Sequence, residues 1–113
     1  MNKTELIYKY PAIFKEDSLV FDVPQEWITT LDELCDALQN CHWAIFDPSY
    51  EGAMSSGQVV AEHVEEESGE LRFYYHIEYD RPDVPPELRK SNYGFVNGII
   101  AYAESKILRL TNG

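Results

Sequence analysis

Apolar residues at Trp27, Ile28, Leu31, Leu34, Cys35 and Leu38 recur at +1, +4, +7, +8 and +11. That is the period of one helix face. Asp32, Glu33 and Asp36 fall on the opposite face. Asp22-Val23-Pro24 places an acid and then a proline at the start, where the missing N–H of proline costs little. The spacing predicts a helix over residues 24–40. A second pattern predicts a helix over 86–109, begun at Pro86 or Glu87. Leu88, Phe95, Ile99 and Tyr102 form its seam, widened by Val96, Ile100, Ala103 and Ile107. The Gly94-x-x-x-Gly98 spacing inside it is expected to allow close approach to a strand or ring. Asn92, Asn97 and Glu104 exclude a bilayer span there. Near the N-terminus, Thr4 is expected to cap a short helix that Pro11 ends.

Between the two long helices the period changes to that of strands. His42 to Phe46 is short, aromatic and β-branched, and Asp47-Pro48 stops it. Residues 47–57 have loop composition. Gln58 to Glu67 and Glu70 to Tyr79 flank Ser68-Gly69, which predicts a hairpin over 58–79. A two-residue turn sets Glu65 opposite Arg72, Val64 opposite Phe73 and Val60 opposite Ile77. Val60, Val64, Leu71, Phe73, Tyr75 and Ile77 then share a helix-facing surface. Ala61, His63, Glu65, Arg72, Tyr74, His76 and Glu78 share the other. The expected fold is α+β: a small antiparallel sheet containing the hairpin, with helices 24–40 and 86–109 on one face. Trp27, Leu31, Leu34, Leu38, Phe73, Ile99 and Ile100 are its expected core.

Charge changes this picture more than composition does. The 113 residues make one domain, with a net charge of −11 and an apolar content of 44% that a disordered acidic tail would lack. Between Lys15 and Arg72 lie 56 residues with 14 acids and no Lys or Arg. Direct nucleic-acid binding there is disfavoured, because affinity for phosphates comes largely from basic side chains. Helix 24–40 and the hairpin would instead present a negative field, which attracts basic proteins. Asp32, Glu33, Asp36, Glu62, Glu65, Glu66 and Glu67 are the expected partner-binding carboxylates, with Tyr50 and Tyr74 as aromatic anchors. With no apolar run long enough for a span and no export signal, a cytoplasmic protein is expected. Cys35 and Cys41 then read as reduced, both small buried hydrophobes.

Enzymatic chemistry finds little footing. There is no Gly-x-Ser-x-Gly elbow and no phosphate-cradling glycine loop. Cys35 lies among acids that would raise a thiol pKa rather than lower it. His63 and His76 share the outer hairpin face, where Glu65 or Glu78 could complete a two-His, one-carboxylate metal set, but tight ligand spacing is missing. No cofactor, metal or catalytic residue is therefore expected.

Several stretches resemble a group of small uncharacterised proteins common in phages and prophages. They are Tyr10-Pro11 with Phe14, Trp27 to Leu34-Cys35, Gln58-Val59, Gly69-Glu70-Leu71-Arg72-Phe73-Tyr74, and Gly98-Ile99-Ile100 to Ala103-Glu104-Ser105. The turn of that group is often rich in lysine, whereas here it is acidic. The resemblance implies a phage-like setting and carries over no activity or ligand set. The leading expectation is a non-enzymatic acidic inhibitor of anti-defence type, acting against CRISPR or restriction systems, that occupies a basic nucleic-acid-binding site. An immunity protein for a toxin nuclease is the alternative. An accessory protein, or a metal-binding or enzymatic domain using His63, His76 and Glu65, is a further one.

Overall fold

The computed structural model describes residues 1–40, 45–46, 54–55, 57–79 and 86–112. In chain order these form α1 (Lys3–Lys9), β1 (Val20–Asp22), a 3-10 turn (Gln25–Trp27) and α2 (Ile28–Asn40). They continue with β2 (Ile45–Phe46), β3 (Met54–Ser55), β4 (Gly57–Glu67), β5 (Glu70–Tyr79) and α3 (Pro86–Asn112). The fold is α+β. The main sheet is mixed rather than purely antiparallel, in the order β1-β4-β5. β1 pairs with β4 in parallel, Phe21 beside Val64, a pairing that three residues without a repeating pattern do not announce. β2 and β3 form a separate two-stranded ladder.

Local chemistry explains the element ends. α1 is capped by Asn2, not Thr4: the Asn2 Oδ1 accepts the Glu5 N–H at 2.9 Å, and the Glu5 carboxylate reaches back to the Asn2 N–H. That is a capping box shifted two residues upstream. Pro24 precedes the 3-10 turn, and Ile28 carries the chain into α2. At the hairpin, Ser68 and Gly69 have φ of +55° and +81°. Positive φ at both central residues matches the right-handed twist of the flanking strands. From Glu67↔Glu70 to His63↔Tyr74 the pairing runs as expected. A β-bulge then leaves Glu62 unpaired, so that Val60 faces His76 and Val59 faces Ile77. The helix-facing set is therefore Val59, Ala61, Val64, Leu71, Phe73, Tyr75 and Ile77. Val60 is buried but lies outside the cluster these residues share.

The core joins that sheet face to α1, α2 and α3. Trp27, Leu31, Leu34 and Leu38 of the 3-10/α2 segment meet Phe73 and Ile100, all buried, while Ile99 is partly buried against them. The α3 seam is Asn92, Val96, Ile100, Ala103 and Ile107. Phe95 and Tyr102, expected to lie inward, are exposed, because the helix is apolar on two adjoining faces and the sheet takes only one. The side chain of Leu88 lies outside the described residues. Gly94 and Gly98 have nothing within 4 Å of where a Cβ would sit, so they mark no close approach. α3 is instead held by tyrosines of β5. The Tyr75 hydroxyl donates to Asn97 Oδ1 at 2.6 Å, and Asn92 Nδ2 donates to the Tyr79 hydroxyl at 3.0 Å.

Candidate acidic interface

The base-free stretch is divided by the sheet into two groups of carboxylates. On the helix side each acid of α2 already has a partner. Asp32 accepts the Tyr10 hydroxyl at 2.7 Å and lies 3.0 Å from Lys9 Nζ. The Tyr10 hydrogen bond, and then Lys9, hold its carboxyl below the usual range. Burial, followed by Asp32 itself, pushes the Tyr10 phenol up. The Cys35 thiol beneath is free, and it is raised by burial and then by Asp32. Such a thiol stays protonated and unreactive. Glu33 takes Lys106 Nζ at 2.6 Å, and Asp36 takes the Asn40 amide at 2.6 Å. Asp32 fastens α2 to α1 and Glu33 fastens it to α3, while the Asp36 contact stays within α2. Between α2 and α3 a shallow, mainly apolar groove runs past Leu34, Ala37, Ile99 and Tyr102.

The hairpin differs. β4 and β5 carry Glu62, Glu65, Glu66, Glu67, Glu70 and Glu78 against a single arginine, Arg72. Arg72 stands opposite Glu65 in register, yet its guanidinium turns to Glu70 at 2.9 Å and Glu67 at 3.4 Å. Glu66 accepts the Gly69 N–H at 2.9 Å, bracing the turn. Glu65 meets only the His63 ring, at 3.3 Å, among the described residues. Parallel pairing sets Asp22 of β1 beside Glu65, a carboxylate that sequence reasoning left out of the site. Tyr74 is 52% exposed, and its ring meets His63 edge-on at 6.2 Å. A half-exposed ring framed by carboxylates is the kind of rigid anchor that interfaces use.

Further along the same face, His76 is surrounded by three carboxylates. Its Nε2 lies 2.9 Å from Glu78 and 3.7 Å from Glu16, and its Nδ1 lies 3.7 Å from Glu62. Glu62 is the bulge residue, and a bulge re-aims a side chain. Lys15 closes on Glu78 from the other side, and the Lys15 hydrogen bond, followed by His76, lowers the Glu78 carboxyl below its usual range. The expected set of His63, His76 and Glu65 is thus split in two: His63 goes with Glu65 and Tyr74, His76 with Glu16, Glu62 and Glu78.

Of the expected partner-binding residues, Glu62, Glu65, Glu67 and Tyr74 come together on the outer face of the hairpin, whereas Glu66, paired with Leu71, projects from the helix-facing side at its tip. Asp32, Glu33 and Asp36 lie in the helical layer across the sheet and do not join them. Tyr50 lies outside the described residues. No helix among the described residues is long and apolar enough to cross a membrane. Neither a family model, a curated protein nor a solved structure matches the chain.

Proposed function

We propose that this is a non-enzymatic binding protein whose acidic hairpin occupies a basic, nucleic-acid-binding site on a protein partner, an anti-defence inhibitor of phage or prophage type. The supporting observation is the contrast between the two acidic groups. The α2 carboxylates are each engaged within the fold, whereas Glu62, Glu65 and Glu66 have no Lys or Arg partner among the described residues. Carboxylates spaced along a rigid hairpin can stand in for a run of phosphates, and a field of one sign speeds capture of an oppositely charged partner.

The test is capture of the partner from host lysate, followed by competition with a DNA duplex. Binding is expected to weaken steeply with salt and to be displaced by DNA. Combined Glu65→Lys, Glu66→Lys and Glu67→Lys reversal should abolish capture, with only a modest fall in the thermal midpoint from the lost Glu66–Gly69 and Glu67–Arg72 contacts. Reversal of Glu26, on the 3-10 turn, should leave capture in place. Undiminished capture by the triple variant at low salt would overturn the reading.

A further inference from the structure

The cluster around His76 supports an inference separate from partner capture. We propose that Glu16, His76 and Glu78 form a binding site for a divalent transition metal of the zinc type. Among the described residues these three alone bring ligand atoms within 4.8 Å of one another. His76 and Glu78 are two apart on β5, so the strand's alternation puts both side chains on one face. Glu16 reaches them from the segment ahead of β1. That segment is fixed in place where Ile13 O accepts the Ala61 N–H at 2.8 Å and where the Ile13 and Phe14 side chains enter the core.

The two imidazole nitrogens have different surroundings. Nε2 faces both candidate ligand oxygens, at 2.9 and 3.7 Å. A tetrahedral ion with bonds of about 2.0–2.1 Å separates its donors by about 3.3 Å, so small side-chain rotations bring these atoms into range. Nδ1 faces the Glu62 carboxylate at 3.7 Å. Without metal the Glu78 carboxylate at 2.9 Å draws the ring proton to Nε2. An ion that takes Nε2 moves that proton to Nδ1, where Glu62 stands ready to accept its hydrogen bond, as in carboxylate–histidine–metal arrangements. Lys15 occupies the other oxygen of Glu78, leaving Oε2 directed at the ring. With the imidazole neutral, three carboxylates and one lysine leave a local charge of −2, which a divalent ion cancels. One nitrogen and two oxygens suit zinc better than softer or purely oxygen-seeking ions. Bound metal would clip the segment around residue 16 to β5.

The full chain, purified from chelator-treated buffer, is titrated with zinc chloride by calorimetry, with magnesium chloride as the control. One zinc per chain is expected, magnesium binding far more weakly, together with a zinc-dependent rise in the thermal midpoint. His76→Ala and Glu16→Gln should each weaken zinc binding by about tenfold or more and remove the rise. His63→Ala should change neither. Absence of zinc binding would overturn the site. So would binding that survives His76→Ala, or binding that His63→Ala removes equally well. Partner capture by the His76→Ala variant keeps failure of this site distinct from failure of the proposed function.

Discussion

Tyr10 and Asp32 tie the end of α1 to the middle of α2, and their protonation states are linked. Asp32 and Glu78 both bind protons less readily when folded than when unfolded. Their stabilisation is full above the ordinary carboxylate value of about 4 and is lost as pH falls through the lower folded values. The thermal midpoint should therefore fall as pH drops below about 4. Asp32→Asn, whose amide oxygen still accepts from Tyr10, should flatten part of that slope when melting is followed by circular dichroism. Tyr75 gives the opposite sign at high pH. Burial, then its tyrosine neighbours, pushes it up to about 12. The native state favours the neutral phenol, so stability holds below the ordinary tyrosine value of about 10 and declines as pH rises beyond it. Glycines divide in a similar way. A Cβ on Gly57 would lie 2.9 Å from Ile77 Cγ2 and 3.2 Å from the Tyr79 ring, and the branched Ile77 has little room to yield. A Cβ on Gly98 meets nothing. Gly98→Ala should raise stability by up to about 1 kcal/mol, and Gly57→Ala should lower it, both read from urea midpoints.

At the scale of elements, legibility followed how sharply the apolar pattern chose one face. α2 has a single stripe, and Trp27, Leu31, Leu34 and Leu38 are buried as that stripe requires. α3 has apolar residues on neighbouring faces, and pattern alone could not rank Phe95 and Tyr102 below Val96 and Ile107. The burial that separates them is set by docking on β5, where the Tyr75 and Tyr79 hydroxyls meet Asn97 and Asn92. Ile100→Ala should cost about 2–5 kcal/mol in urea denaturation. Tyr102→Ala, at a residue 64% exposed, should cost about 1 kcal/mol or less. The hairpin shows the same limit. Ser68-Gly69 announced the turn, and the register follows from it as far as His63. Beyond that point Val59, Val60 and Ala61 are all apolar, so no alternation revealed the phase change at Glu62.

Across the whole molecule, the acidity that looks continuous along the sequence is separated in space. The sheet stands between carboxylates that hold helices together and carboxylates that face outward. Sequence spacing placed Glu65, Glu67 and Tyr74 on one face because a hairpin is local, and the bulge then turned Glu62 onto it. Spacing could not bring in Glu16 and Asp22, which reach the same face only through long-range pairing of the segment leading into β1. The turn and the parallel strand also differ in what each asks of a folding chain. The β4–β5 ladder closes across two residues, while docking Phe21 beside Val64 closes a loop of about 40 residues, and loop entropy must be overcome before that contact repays it. The hairpin should therefore be present at the rate-limiting barrier and β1 should arrive after it. In chevron measurements Gly69→Ala, which forces a side chain into positive φ, should chiefly slow refolding. Phe21→Ala should chiefly speed unfolding, leaving the refolding arm nearly where it was.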